Sequence, residues 1–225
     1  MSLLEFARGP ALWFSLIVLI AGSVWRVVAI FRLGTKRDLA EPRSTRWLVG
    51  ALRGIFARMI PRTEFRRGAK LGVINGYFYH IGLAVVAFGY LPHILFVERL
   101  TGLAWPALPE PLVYVAVGLT FVSLIMVLLE RLTDDVMRLL SGFDDYFSWF
   151  VVFLPLATGM IALSGWSPQV PSGGLPIYPV PLAIHLLSVE SLFVWLPFGK
   201  LGHAYLVFFS RAITGAAIER KGAAL

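Results

Sequence analysis

The chain contains no cysteine. That excludes a disulfide, a thiolate zinc site and an iron–sulfur cluster held by its own side chains. Charge is the second scarcity. Asp, Glu, Lys and Arg make up 15% of the 225 residues, against about 25% in soluble domains. Histidine occurs four times, so any redox centre must use histidine, methionine or a bound organic group. What is abundant is apolar: 58% of residues are hydrophobic and the mean hydropathy is +0.77. These are the proportions of an integral membrane protein. The net charge of +7 does not imply nucleic acid, because the basic residues gather beside apolar runs, as membrane topology requires.

Five stretches are long and apolar enough to cross a hydrocarbon core of about 30 Å. They are Ala11–Phe31, Leu71–Phe96, Leu112–Leu129, Tyr146–Leu163 and Leu182–Phe209. They predict an all-α membrane protein, a single domain over residues 1–225 with five transmembrane helices in a bundle. The first run is followed by Trp25-Arg26 and more apolar sequence rather than a small-residue cleavage site, so it reads as a retained helix.

Eleven Lys and Arg lie between Arg32 and Lys70, against Asp38, Glu41 and Glu64. The segment Glu98–Pro111 holds Arg99 alone among basic residues, and Trp166–Val180 holds no charge. The positive-inside rule therefore places the N-terminus outside and the C-terminus inside, that is, periplasmic and cytoplasmic in a multi-pass protein of the cell inner membrane. Within the basic connection, Trp47, Leu48, Ala51, Leu52, Ile55, Phe56 and Met59 recur at helical spacing. They predict an amphipathic helix over about 45–60, either lying on the anionic inner leaflet or offering a docking surface to a soluble partner. The outer loops, with Trp105, Trp166 and Tyr178 among prolines and glycines, read as interfacial anchors or as a roof over a lipophilic ligand.

The four histidines, His80, His93, His185 and His203, fall in two of the five spans. His185 and His203 are eighteen residues apart, five whole turns of an ideal helix, so both imidazoles would leave one face about 27 Å apart. That geometry suits a helix shared by two stacked hemes, for which imidazole is a common axial ligand. The second and fifth spans run in opposite directions, which pairs His80 with His203 inside and His93 with His185 outside. His80 and His93 lie about 140° apart on an ideal helix. A kink at Pro92 or a local bulge near Gly89 is needed to swing His93 back toward the fifth span. Glu190, inside a span, suits either a pairing with a neighbouring helix or a proton path. Lys200 and Arg26 suit heme propionates or snorkelling to the interface.

Gly76-Tyr-Phe-Tyr-His80-Ile-Gly resembles the first heme-ligand motif of respiratory nitrate reductase γ subunits. The run from His185 through Leu196-Pro197-Phe198-Gly199-Lys200-Leu201-Gly202-His203 resembles their last helix, and Gly22-Ser23-Val24-Trp25-Arg26 the end of their first. The family's second ligand on helix two falls ten residues after the first, where this chain has Tyr90. That departure, with the longer first connection and Arg66-Arg67-Gly68, looks more like the branch associated with sulfite reductase and heterodisulfide-reductase-like iron–sulfur proteins. The resemblance implies b-type hemes, a quinone site near the outer heme and electron exchange with soluble cytoplasmic iron–sulfur subunits. The expectation is thus two hemes on His80, His203, His93 and His185, and an oxidoreductase subunit with no terminal catalytic site of its own. A one-heme version, a heme-free anchor and a histidine-relay transporter are the alternatives.

Overall fold

The computed structural model describes residues 1–34, 39–57, 59, 70–163 and 178–223. All regular structure among them is helical. In chain order the helices are α1 (Leu3–Phe6), α2 (Leu12–Arg32), α3 (Trp47–Ala57), α4 (Lys70–Gly89), α5 (Leu91–Thr101), α6 (Glu110–Thr133), α7 (Asp135–Leu140), α8 (Phe143–Leu163), α9 (Pro179–Trp195) and α10 (His203–Arg220). A π-helical turn at Ala7–Ala11 joins α1 to α2, and a 3₁₀ turn at Lys200–Gly202 leads into α10. The π turn contains Pro10, whose missing N–H removes one α-helical hydrogen bond and favours the wider winding.

The fold is that of an all-α membrane protein. Leu3–Arg32, Leu71–Gly89, Glu110–Thr133, Phe143–Leu163 and Lys200–Arg220 are long and apolar enough to cross a bilayer. Two expected boundaries are corrected. The second span stops at Gly89, because Tyr90 adopts an extended conformation (φ −83°, ψ 125°) and α5 starts afresh with Pro92 in its first turn. The expected helix Leu182–Phe209 is two helices. α9 ends at Trp195, and Pro197, lacking an N–H and lying in the turn, cannot continue it.

Two compact units divide the chain, Met1–Arg67 with Leu182–Leu225, and Gly68–Pro181. In the first unit, α3 lies against α10 through glycine. A Cβ added at Gly54 would sit 2.8 Å from the Gly215 Cα, and one added at Gly50 would sit 2.7 Å from the Gly215 carbonyl oxygen. Gly50-Ala-Leu-Arg-Gly54 is thus a GxxxG stripe that lets two backbones approach closely. The larger apolar side chains of α3, Trp47, Leu48, Leu52 and Phe56, point outward and are exposed.

The ends of that contact are held by Glu219. Its carboxylate is buried and meets Arg46 at 3.2 Å and Arg53 at 3.6 Å, and it accepts a hydrogen bond from the Ser44 hydroxyl at 2.9 Å. Elsewhere in the unit Gly22 abuts Pro197, where an added Cβ would come within 2.8 Å of the proline ring. Phe31 meets Phe209 edge-on, with centroids 6.2 Å apart. Both contacts carry nearly the same sequence offset, so α2 and the segment from α9 into α10 run parallel.

The second unit is built on α6. Val113, Val117, Leu124 and Leu156 form its core, with Tyr79, Val86, Tyr90, Phe121, Trp149 and Phe153 around them. Gly82 of α4 lies against Thr120, whose hydroxyl donates to the Ala116 carbonyl at 2.6 Å. The buried Asn75 amide donates to the Ser123 carbonyl at 3.0 Å, and the Trp149 indole donates to the Leu124 carbonyl at 2.7 Å. Each such bond contributes about 0.5–1.5 kcal/mol net, and fixes helix register besides. Asp145, buried at the start of α8, pairs with Arg131 at 3.1 Å and accepts the Gly142 N–H at 3.0 Å.

Candidate functional site

The break at Tyr90 exposes the problem that any helix end creates: carbonyls of the last turn lose their partners. Here all four of α4's last carbonyls are met. The His93 ring Nδ1 lies 2.8 Å from the Val86 oxygen, and the Ala87 carbonyl also bonds to this ring. The Trp105 indole N–H donates to the Phe88 oxygen at 2.6 Å, and the Leu108 N–H donates to the Gly89 oxygen at 2.9 Å. Gly102, at φ 77°, ends α5 in the left-handed conformation and lets the chain turn back toward Gly89. The interruption is a full break at Tyr90 rather than a kink at Pro92, and the ideal-helix angle between His80 and His93 does not apply.

His80 and His203 make similar bonds at their own stations. The His80 Nδ1 lies 2.7 Å from the Gly76 carbonyl oxygen, one turn earlier, and its ring stacks on Tyr79 with centroids 4.2 Å apart. The His203 Nδ1 lies 2.7 Å from the Lys200 carbonyl oxygen. A carbonyl oxygen only accepts, so in each of these three rings Nδ1 carries the proton and Nε2 carries the lone pair. Anchoring one ring nitrogen to fix the tautomer of the other is how proteins prepare histidine to ligate a metal. His80 and His203 are exposed, whereas His93 and His185 are half-buried. The His185 carbonyl accepts the Ser188 hydroxyl at 2.6 Å.

His80 and His93 belong to the second unit, His185 and His203 to the first. The single straight helix expected to carry His185 and His203 on one face is not present, since the turn at Pro197 separates them. Among the described residues no group of three or more His, Asp or Glu converges as an ion site. A heme iron asks less of the chain, because the porphyrin supplies its four equatorial nitrogens and the protein only the axial pair.

The offsets of the Gly22–Pro197 and Phe31–Phe209 contacts bring Arg26 level with residues 201–204, hence with His203. Arg26 is half-buried and Lys200 exposed. Glu190, on α9, is 5% exposed, and neither of its carboxylate oxygens has a hydrogen-bond partner. Trp105 serves as a cap for the broken helix as well as an interfacial aromatic. Trp166 and Arg66-Arg67-Gly68 lie outside the described residues.

Sequence reasoning missed Glu219 and the Gly50, Gly54 and Gly215 contact, although the GxxxG spacing was there to be read. It also missed the capping of Val86 and Ala87 by His93, for which an extended residue at Tyr90 is the cause and no local signal exists beyond Pro92.

No protein-family model matches the chain, and no solved structure matches it. The chain is similar along nearly its whole length to a protein of Nitratidesulfovibrio vulgaris strain Hildenborough whose name is given only as "Protein". The two are 29% identical over 224 residues, covering 97% of this chain and 95% of the relative.

Proposed function

We propose that this chain is a membrane cytochrome b, a subunit that carries electrons between a membrane quinone and a soluble cytoplasmic iron–sulfur partner. The observation that carries this reading is the donor set: three of the four histidines direct Nδ1–H at a backbone carbonyl, which leaves Nε2 as the basic nitrogen. Such a set fits b-type heme, and it fits a histidine-relay transporter less well, since a relay needs rings free to exchange both protons. Bound heme would supply the one-electron carrier, and the quinone the two-electron partner.

The residues then take these roles. His80, His203, His93 and His185 would supply the axial imidazoles, His80 and His203 toward the inner side and His93 and His185 toward the outer. Arg26, level with His203, and Lys200, three residues before it, offer cations to propionates at the inner side. The quinone lies beside the outer heme on the side of the Trp105 loop. The protein sits in the cell inner membrane with its N-terminus periplasmic and its C-terminus cytoplasmic, so the basic connection and α3 face the soluble partner.

One observation favours a second reading, a single heme on His80 and His203. His93 already has a structural task as the cap of α4, and Tyr90 stands where the resembled family has its ligand. A reduced-minus-oxidised visible spectrum of the purified protein, with heme counted per chain, decides among these readings. No b-type signal would remove both heme readings, and one heme per chain would select the second. A reporter fused after Leu225 should be active only on the cytoplasmic side. Activity on the periplasmic side would invert the orientation.

A further inference from the structure

Phe31 of α2 meets Phe209 of α10 edge-on. Arg32 follows the first ring by one residue and Arg211 the second by two. The pair therefore marks where both apolar runs reach a cationic boundary. α2 ends there, and Gly34, at φ 64°, turns the chain away. α10 does not end. It runs unbroken to Arg220 and carries Gly215 and Glu219 about 9 and 15 Å past Phe209 along its axis.

α3 is held against that extension. Gly50 faces Gly215 and Glu219, and Gly54 faces Arg211 and Gly215, so the two helices run antiparallel. The strand of chain before α3 is tied to the tip of α10: the Arg43 N–H donates to the Arg220 carbonyl at 2.9 Å, and the Arg220 guanidinium donates to the Ala40 carbonyl at 3.0 Å. At the other end the Arg211 guanidinium donates to the Ile55 carbonyl at 3.4 Å. A helix that rests on a leaflet lies in its plane and sinks one face among the headgroups. α3 instead follows the axis of a spanning segment, past the level at which α2 stops. Its outer face is thereby carried away from lipid and into water.

That face is apolar. Leu52 lies about 200° round the helix from Gly50. Leu48, Leu52 and Phe56 recur every fourth residue as a stripe, each at least half exposed. Arg46 and Arg53 border the stripe on one side, and their side chains are mostly exposed. An apolar patch rimmed by charge and turned to water marks a protein-binding surface. The charge of this end has one sign: among the described residues, exposed Arg43, Arg46, Arg53 and Lys221 stand against one exposed carboxylate, Glu41. We propose that the outer face of α3 is the docking surface for a soluble protein that offers an apolar groove with carboxylates along its rim. Leu48, Leu52 and Phe56 are the anchors of a helix laid in a groove, and the arginines steer the encounter and fix its register. This deepens the reading above. It rests on the soluble cytoplasmic partner, not on the hemes.

The chain has no cysteine, so a single introduced thiol reports on its own position. The probe is a membrane-impermeant maleimide, added to inside-out vesicles from the cells to which the chain is native. Ala217→Cys, exposed on α10 beside the glycine contact, should label throughout. Leu52→Cys should label weakly in untreated vesicles, and several-fold more after a high-salt and alkaline wash that strips peripheral proteins. Returning the washed proteins should restore protection. Leu48→Gln with Phe56→Gln, added to Leu52→Cys, should prevent that restoration, and Arg46→Gln should lower the salt concentration at which protection is lost. Three results would overturn the proposal. Both thiols silent after washing would put α3 and the end of α10 in lipid. Equal labelling of Leu52→Cys before and after washing would leave the stripe without a partner. Protection that survives washing, persists in purified protein and fades on dilution would make the occupant a second copy of the chain. Labelling of both thiols only in right-side-out vesicles would overturn the proposal together with the orientation. A visible spectrum of the same vesicles keeps the two readings apart. Protection without a b-type signal would uphold this proposal and overturn the cytochrome, and a b-type signal without protection would do the reverse.

Discussion

The segment that carries His80 and His93 breaks at Tyr90, two residues before Pro92. The segment that carries His185 and His203 breaks around Pro197. The two interruptions are closed by different means. Around Pro197 the backbone closes on itself: Phe198 and Gly199 donate to the Trp195 carbonyl at 3.0 and 3.1 Å, and Gly202 donates to Gly199 at 3.1 Å. Around Tyr90 the orphaned carbonyls are met by side chains and by a distant amide, those of His93, Trp105 and Leu108. A break closed by its own backbone tolerates side-chain changes. A break closed by side chains depends on each of them. The ring of His203 meets the Lys200 carbonyl within its own turn, at an exposed position, while His93 reaches back across its break to a half-buried carbonyl of α4.

That difference gives the largest expected effect. His203→Ala and His93→Ala should each halve heme content, but His93→Ala should weaken the heme-free protein more, because its bond to Val86 is half-buried and that of His203 to Lys200 is exposed. Leaving a buried carbonyl without its donor costs about 1–3 kcal/mol, and the half-buried Val86 carbonyl should cost about 1 kcal/mol, the low end of that range, read as a lowered detergent-phase unfolding midpoint after heme extraction. Equal stability of the two heme-free variants would show that the Tyr90 break does not lean on His93.

The second effect probes the self-closed break from outside. Pro197 is fully buried, and Gly22 lies against it. Gly22→Leu puts a side chain where even a Cβ is too close, and should cost about 1–3 kcal/mol through overpacking. It should also displace Arg26, one turn further on. The measurement is unfolding of the variant beside Gly9→Leu, a site with nothing within 4 Å of an added Cβ. Indistinguishable midpoints would mean that the turn does not depend on α2.

Four of the five spans were legible in sequence to within a few residues at most ends because hydropathy over about twenty residues is a strong signal. The interruptions were not. Leu182–Phe209 is apolar throughout, and an apolar run does not reveal that its backbone turns, so the five-turn relation between His185 and His203 was read from a helix that is not continuous. Pro92 announced a disturbance, but the residue that leaves the helix is Tyr90. The site residues themselves were visible as histidines. Their fixed tautomers were not, because Gly76, Val86 and Lys200 contribute carbonyls, and a carbonyl has no residue-type signature.

A smaller effect isolates one member of the side-chain closure. Trp105→Phe keeps the aromatic bulk and removes only the indole donor to Phe88. The expected loss is about 1 kcal/mol, with heme content unchanged. If heme loss instead accompanied the change, the Trp105 loop would bear on the outer ligand directly rather than on the helix end.

The smallest effect lies in the α3–α10 contact, and it tests whether redundancy belongs to the first unit in general. Arg46 is 72% exposed on its side chain, and its ion pair with Glu219 runs through solvent on one side. Arg46→Ala should therefore cost only about 0.5 kcal/mol, since Arg53 and the Ser44 hydroxyl still face the buried carboxylate. Arg53→Ala should cost about as little for the same reason. The double variant differs in kind. Glu219 would then keep one hydroxyl partner in a buried position, and breaking a buried pair costs about 3–5 kcal/mol when a charge is left uncompensated. The expected result is a double-variant loss well above the sum of the singles, which Glu219→Gln in the same background should largely restore. Simple additivity in that cycle, measured by detergent-phase unfolding, would mean that the two arginines act independently, and that the Gly50, Gly54 and Gly215 contact alone holds α3 to α10.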